Sequence, residues 1–195
     1  MLGNYCRNLG NYICRGLTPR LARFGIQPWM MNLCSVASAV GSGYFFFSHN
    51  ILSALIFLFL NAVFDYMDGG ISRALLSVGK AFSRYRPLFH VLSDKLSDVV
   101  IFWGMIAGKI VRWDLGLLAI TTSLILTLFG RWVQHKRLFN LERSLFDRAD
   151  RFIVLLLFCS LGRFQLALII VSILNIVGLI QRLYTFIRAI LPKSL

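Results

Sequence analysis

The chain has 195 residues, of which 57% are hydrophobic and only 15% charged, against the roughly 25% usual for soluble domains. There is too little polar side chain to clothe a water-facing surface, so a soluble globular domain is excluded. Twenty-one Lys and Arg against eight Asp and Glu leave a net charge of +13, but the basic residues sit between apolar segments instead of along one polar arm, which argues against nucleic acid as a partner.

The first 24 residues mix Leu, Tyr and Ile with Arg7, Arg15, Arg20 and Arg23. They hold no continuous apolar core and no small-residue cleavage site, so they read as an interfacial amphipathic helix instead of a signal peptide. Pro28 marks the start of the first span. A bilayer core about 30 Å thick takes roughly 20 helical residues to cross, and that ruler predicts spans over 29–47, 51–68, 88–111, 113–132, 147–162 and 164–187. The fifth is the shortest, its apolar part running only from Phe152 to Gly162, and Gly162-Arg163 is the expected tight turn into the last. The expected fold is thus an all-α membrane protein, with six transmembrane helices in one domain (25–195) preceded by the arm (1–24). With the N-terminus in the cytosol, only Lys109, Arg112 and Arg163 fall on the far side, which fits the bias of Lys and Arg toward cytoplasmic loops. Cys6, Cys14, Cys34 and Cys159 show no paired spacing and read as small packing residues.

Four of the eight acidic residues are Asp65, Asp68, Asp94 and Asp98. A carboxylate near hydrocarbon costs at least about 2.5 kcal/mol on insertion scales, so such groups are functional by default. Asp65 and Asp68 are spaced i, i+3 and Asp94 and Asp98 i, i+4, with His90 one turn before Asp94; each set shares a helix face. Two facing carboxylate pairs need a cation, and oxygen ligands suit Mg²⁺ or Mn²⁺. Gly69 and Gly70 follow Asp68 and lead to Arg73; glycine lets a bulky ligand approach the backbone, and an arginine fork matches phosphate oxygens.

Taken together, Asp65-x-x-Asp68-Gly69-x-x-Ser72-Arg73 followed by Asp94-x-x-x-Asp98 resembles the signature of the CDP-alcohol phosphatidyltransferases, which reads D-x-x-D-G-x-x-A-R, then G-x-x-x-D-x-x-x-D. Two registers of the second half are open. In one, Asp94 and Asp98 are the last two motif aspartates, and His90 replaces the glycine. In the other, Asp94-Lys95-Leu96-Ser97-Asp98 resembles the family's D-[KR]-x-[SA]-D. Asp94 is then the final motif aspartate, His90 stands at the third, Arg86 replaces the glycine and Ser83-Arg84-Tyr85 matches a typical S-R-F. Asp147-Arg148-Ala149-Asp150-Arg151 is similar to the E-R-x-E-R element of the phosphatidylinositol-phosphate and archaetidylinositol-phosphate synthase branch. Arg131 lies 17 residues before Arg148, where that branch carries a basic residue, and Gln181-Arg182 is similar to its terminal Q-R.

The resemblance implies transfer of a phosphatidyl-type group from a CDP-linked lipid, CDP-diacylglycerol or CDP-archaeol, to a polar alcohol, with release of CMP. It implies Mg²⁺ or Mn²⁺ held by Asp65, Asp68, His90 and Asp94, and the acceptor's proton drawn off by Asp94 or, in the other register, Asp98. The CDP-lipid would meet Asp65, Asp68, Gly69, Ser72 and Arg73. Arg131, Arg148, Arg151 and Arg182 would hold the phosphate of an acceptor such as inositol phosphate or, second, glycerol phosphate. A homodimer and an active site on the cytosolic side are also implied. Two other expectations stand beside this one: a descendant that binds CDP-lipid without turnover, because of His90 and Arg86, and a membrane transporter.

Overall fold

The computed structural model describes residues 17–77, 86–135 and 148–190. Every described element is an α-helix: α1 (Leu17–Arg23), α2 (Pro28–Phe47), α3 (Ile51–Ser77), α4 (Arg86–Ala107), α5 (Trp113–His135), α6 (Arg148–Ser160) and α7 (Phe164–Ile190). Most of the expected amphipathic arm over 1–24 lies outside the described residues, as do Ser83-Arg84-Tyr85 and Asp147.

Local chemistry sets the boundaries. Pro28 occupies the first helical position of α2, where its missing N–H costs nothing and its fixed φ suits the helix. The helix stops at Phe47 because His49 adopts φ 60°, and the N–H groups of His49 and Asn50 fold back onto the carbonyls of Phe46 and Phe45 at 3.1 and 2.9 Å. Asn50 then starts α3, its Oδ1 accepting the Ser53 N–H at 3.3 Å. The same closure ends α4, with Lys109 at φ 55°, and α6, with Gly162 at φ 68°. Gly162-Arg163 is therefore the tight turn expected before the last helix.

Helices α2, α3, α7 and the Trp113–Gly130 part of α5 are long and apolar enough to cross a membrane. α4 is 22 residues long but carries Asp94, Lys95 and Asp98, and α6 has 13 residues, short of the roughly 20 a crossing takes. The expected number of six spans depends on these two. α3 also differs from expectation: it continues through Gly69-Gly70 to Ser77, so that Asp65, Asp68, Ser72 and Arg73 all ride on one unbroken helix. Two glycines cost a helix only about 1 kcal/mol each, and Gly70 is occupied by packing. A Cβ there would stand 2.7 Å from Cγ2 of Thr18, so its absence lets α1 lie against α3.

The chain divides into two compact units, Met1–Ile110 and Val111–Leu195. In the first, α2 packs against both α3 and α4. Its contact with α3 is pinned by Asn61, whose Nδ2 donates to the carbonyl and Oγ of Ser35 at 2.7 and 2.9 Å in a fully buried setting. Replacing Asn61 with Leu removes that bond while leaving Ser35 buried. A loss of about 1 kcal/mol is expected, the usual scale for interhelical bonds in membranes, read as a lowered thermal midpoint by circular dichroism in detergent. The contact with α4 is made backbone to backbone: a Cβ on Gly104 would run into the Gly43 carbonyl, and one on Gly108 would lie 2.7 Å from the Phe46 oxygen. In the second unit, α7 packs against α5 and α6.

Candidate functional site

α3 and α4 present their acidic faces to each other within the first unit. Asp68 is 1% exposed, and its Oδ2 lies 3.0 Å from Nδ1 of His90. The other ring nitrogen, Nε2, is 3.7 Å from Oδ2 of Asp94, one turn along α4. The imidazole thus lies between a carboxylate of α3 and one of its own helix. Asp65 completes the group: one ligand atom each from Asp65, His90 and Asp94 lie within 4.8 Å of one another. Two carboxylates and an imidazole at that spacing are a donor set that fits a divalent cation.

Asp98 does not share this arrangement. Although only 7% exposed, it accepts a 2.8 Å bond from Nζ of Lys95, an i, i+3 neighbour on α4. Lys95 and Asp98 form a partly buried ion pair, in which the ammonium partly offsets the cost of burying the carboxylate. Of the two aspartates expected to compete for the catalytic role, Asp94 is the one gathered with Asp65 and His90.

Gly69 has an open side. A Cβ built there meets only an Nη of Arg73, at 3.6 Å, so the backbone is approachable next to an exposed guanidinium. Ser72, 7% exposed, faces inward on the same helix. Asn32 is the residue that sequence reasoning passed over. It is 7% exposed on α2, and its Oδ1 lies 3.4 Å from His90 Nδ1. A buried amide in an otherwise apolar span was the signal available. Beside it opens an apolar groove of about 590 Å³ between the starts of α2 and α4, walled by Trp29, Leu33, Val36, Phe89 and Leu96.

The expected phosphate-binding arginines belong to the second unit. Arg182 on α7 donates from Nη1 to the Leu126 carbonyl at 2.7 Å, and Gly130 leaves room for its guanidinium on α5. Arg151 on α6 donates to Ser123 Oγ at 2.9 Å and reaches Asn175 Oδ1 at 3.4 Å, tying three helices. Arg131 and Arg148 are placed by their backbones, on α5 and at the start of α6; their side chains lie outside the described residues.

The archaetidylinositol phosphate synthase of Pyrococcus horikoshii is 27% identical over 164 residues, covering 84% of this chain and 85% of the synthase. The chain is a homologue of that archaetidylinositol phosphate synthase. An uncharacterized protein of Aquifex aeolicus is 24% identical over 195 residues, 96% of this chain and 97% of that one. The homologue also shares its fold with the phosphatidylinositol phosphate synthase of Mycobacterium tuberculosis. The crystal structure of that enzyme with CDP-DAG bound matches with a TM-score of 0.72 at 16% identity, covering 96% of this chain and all of that one. Its complex with manganese and citrate also matches with a TM-score of 0.72, at 17% identity over 93% and 91% of the two chains. No family model matches the chain.

Proposed function

We propose that the protein transfers a phosphatidyl-type group from CDP-diacylglycerol or CDP-archaeol to a phosphorylated alcohol, inositol phosphate before glycerol phosphate, and releases CMP. The observation that carries this reading is the convergence of Asp65, His90 and Asp94 beside the open side of Gly69 and the guanidinium of Arg73. The groove between α2 and α4 supports a lipid-bearing donor, since its wall is mostly apolar and is lined in part by Asn32, whose Oδ1 lies 3.4 Å from His90 Nδ1. In this reading the chain works as a six-span homodimer, with α4 and α6 counted among the spans and the site facing the cytosol, where the basic residues concentrate.

Bound by Asp65, His90 and Asp94, Mg²⁺ or Mn²⁺ would supply positive charge against the diphosphate. Arg73 holds the diphosphate by charge-assisted bonds, and the bare backbone of Gly69 lets it come close. Ser72 offers a hydroxyl to the same ligand. The acceptor oxygen attacks the lipid-side phosphorus, a new P–O bond forms, and the P–O bond to CMP breaks. Asp94 takes the proton that the hydroxyl gives up. Arg131, Arg148, Arg151 and Arg182 hold the acceptor's phosphate, so the second substrate is recognised by its charge.

The test is CMP release from purified protein reconstituted with a labelled CDP-lipid, Mg²⁺ or Mn²⁺ and a panel of acceptors. Release with a phosphorylated acceptor and little with free alcohols is the expected result. Arg148→Gln should then raise the acceptor KM about tenfold to a hundredfold, the worth of one charged hydrogen bond, with the CDP-lipid KM unchanged. Equal use of phosphorylated and free alcohols would remove the arginine assignment. A second reading has one observation in its favour: the His90 ring already lies between Asp68 and Asp94. A protein that binds CDP-lipid and releases no CMP with any acceptor would be a silent descendant, and His90→Asp would be the substitution to revive it.

A further inference from the structure

His90 has a specific place in the acidic cluster, and its two nitrogens have different neighbours. Nδ1 faces Asp68 Oδ2 at 3.0 Å, and Asn32 Oδ1 lies 3.4 Å away on the same side. Both neighbours are acceptors, so the ring proton belongs on Nδ1. Nε2 is left with its lone pair directed to the side of Asp94, at 3.7 Å from Oδ2, too long for a good hydrogen bond. Two donors that each sit about 2.1 Å from a shared tetrahedral ion stand roughly 3.4 Å apart. The Nε2–Asp94 gap is therefore of the size that a shared ion spans, and Asp65 supplies the third ligand atom.

This is the arrangement by which a carboxylate behind a histidine fixes its tautomer and raises its basicity toward a metal. Asp68 suits the rear position: it is buried, 1% exposed, and rides on the helix opposite His90. We infer that Asp65, His90 and Asp94 form a mixed oxygen–nitrogen site, oriented by Asp68 through Nδ1, that prefers a borderline first-row divalent ion such as Co²⁺ or Zn²⁺ over Mg²⁺. The preference follows from the donors. Mg²⁺ takes hard oxygen ligands and dehydrates reluctantly, whereas imidazole suits later first-row ions. The inference rests on the enzymatic reading for what the ion is used for, but not for its binding.

The experiment measures the ion alone, on purified full-length protein without CDP-lipid. Mn²⁺ serves as a spectroscopic probe, because pulsed electron paramagnetic resonance detects a nitrogen bound to it. Co²⁺ and Mg²⁺ are then competed in equilibrium dialysis with elemental analysis. Nitrogen coupling in the wild type, lost in His90→Asp, is expected, together with a Co²⁺ over Mg²⁺ preference that narrows in His90→Asp. Asp68→Asn, which weakens the support behind the ring, should lower Mn²⁺ affinity about 10- to 100-fold and keep the nitrogen coupling. Mn²⁺ bound without nitrogen coupling would overturn the inference, as would a Co²⁺-to-Mg²⁺ ratio unmoved by His90→Asp. Failure of CMP release with nitrogen coupling intact would instead count against the enzymatic reading and leave the ion site standing.

Discussion

Asp94→Asn is expected to lower CMP release by about a hundredfold to ten-thousandfold, the range over which a positioned general base acts, while CDP-lipid still binds. The amide keeps the size of the side chain and so keeps α4 in place, but it cannot take a proton. Asp94 is chosen over Asp98 on geometry. It shares the cluster with Asp65 and His90, whereas Asp98 accepts the Lys95 ammonium at 2.8 Å with both side chains largely buried. Asp98→Asn therefore leaves a buried cation with a weaker partner and should cost stability before it costs turnover. Steady-state rates and thermal midpoints of the two variants, measured side by side, separate the cases. A normal rate in Asp94→Asn with a collapsed rate in a well-folded Asp98→Asn would transfer the proton-accepting role to Asp98.

How far the sequence foretold this arrangement depends on how local each signal is. Pro28 and Gly162 act through their own backbone angles, and both stand where they were expected, at the start of α2 and in the turn after α6. The i, i+3 and i, i+4 spacing that put Asp65 and Asp68 on one face, and His90 and Asp94 on another, needs only helical geometry, and the two faces do meet. Lys95–Asp98 is equally local, an i, i+3 pair on one helix face whose spacing allows the 2.8 Å ion pair. The length of α3 is a different case. A ruler based on bilayer thickness ends a span where polar residues begin, yet nothing in Gly69-Gly70 stops a helix whose next turn is packed by Thr18. Asn32 escaped because its role exists only through His90, 58 positions away.

Gly104→Leu is expected to destabilise the first unit by at least about 1–3 kcal/mol, the cost of overpacking a filled contact. At Gly104 the obstruction is backbone: the missing Cβ would meet the Gly43 carbonyl and Cα, neither of which can rotate aside. Gly41 provides the contrast, since the nearest atoms a Cβ there would meet belong to the ring of Phe57, which has other rotamers to take. The consequence reaches the site because α4 carries both. Asp94 lies ten residues before Gly104, about 15 Å along the helix axis, and pushing α4 off α2 pulls His90 and Asp94 away from Asp65 and Asp68. Gly104→Leu should therefore lower the thermal midpoint in detergent and weaken Mn²⁺ binding together, while Gly41→Ala costs less on both counts. Gly69→Ala, with nothing nearer its Cβ than an Arg73 nitrogen at 3.6 Å, should leave the stability within about 1 kcal/mol of wild type, the ordinary scale of a helical Gly-to-Ala change. An unshifted midpoint for Gly104→Leu would mean that α2 and α4 are not held together by this glycine contact, and the cluster would need another explanation for how its two helices are aligned.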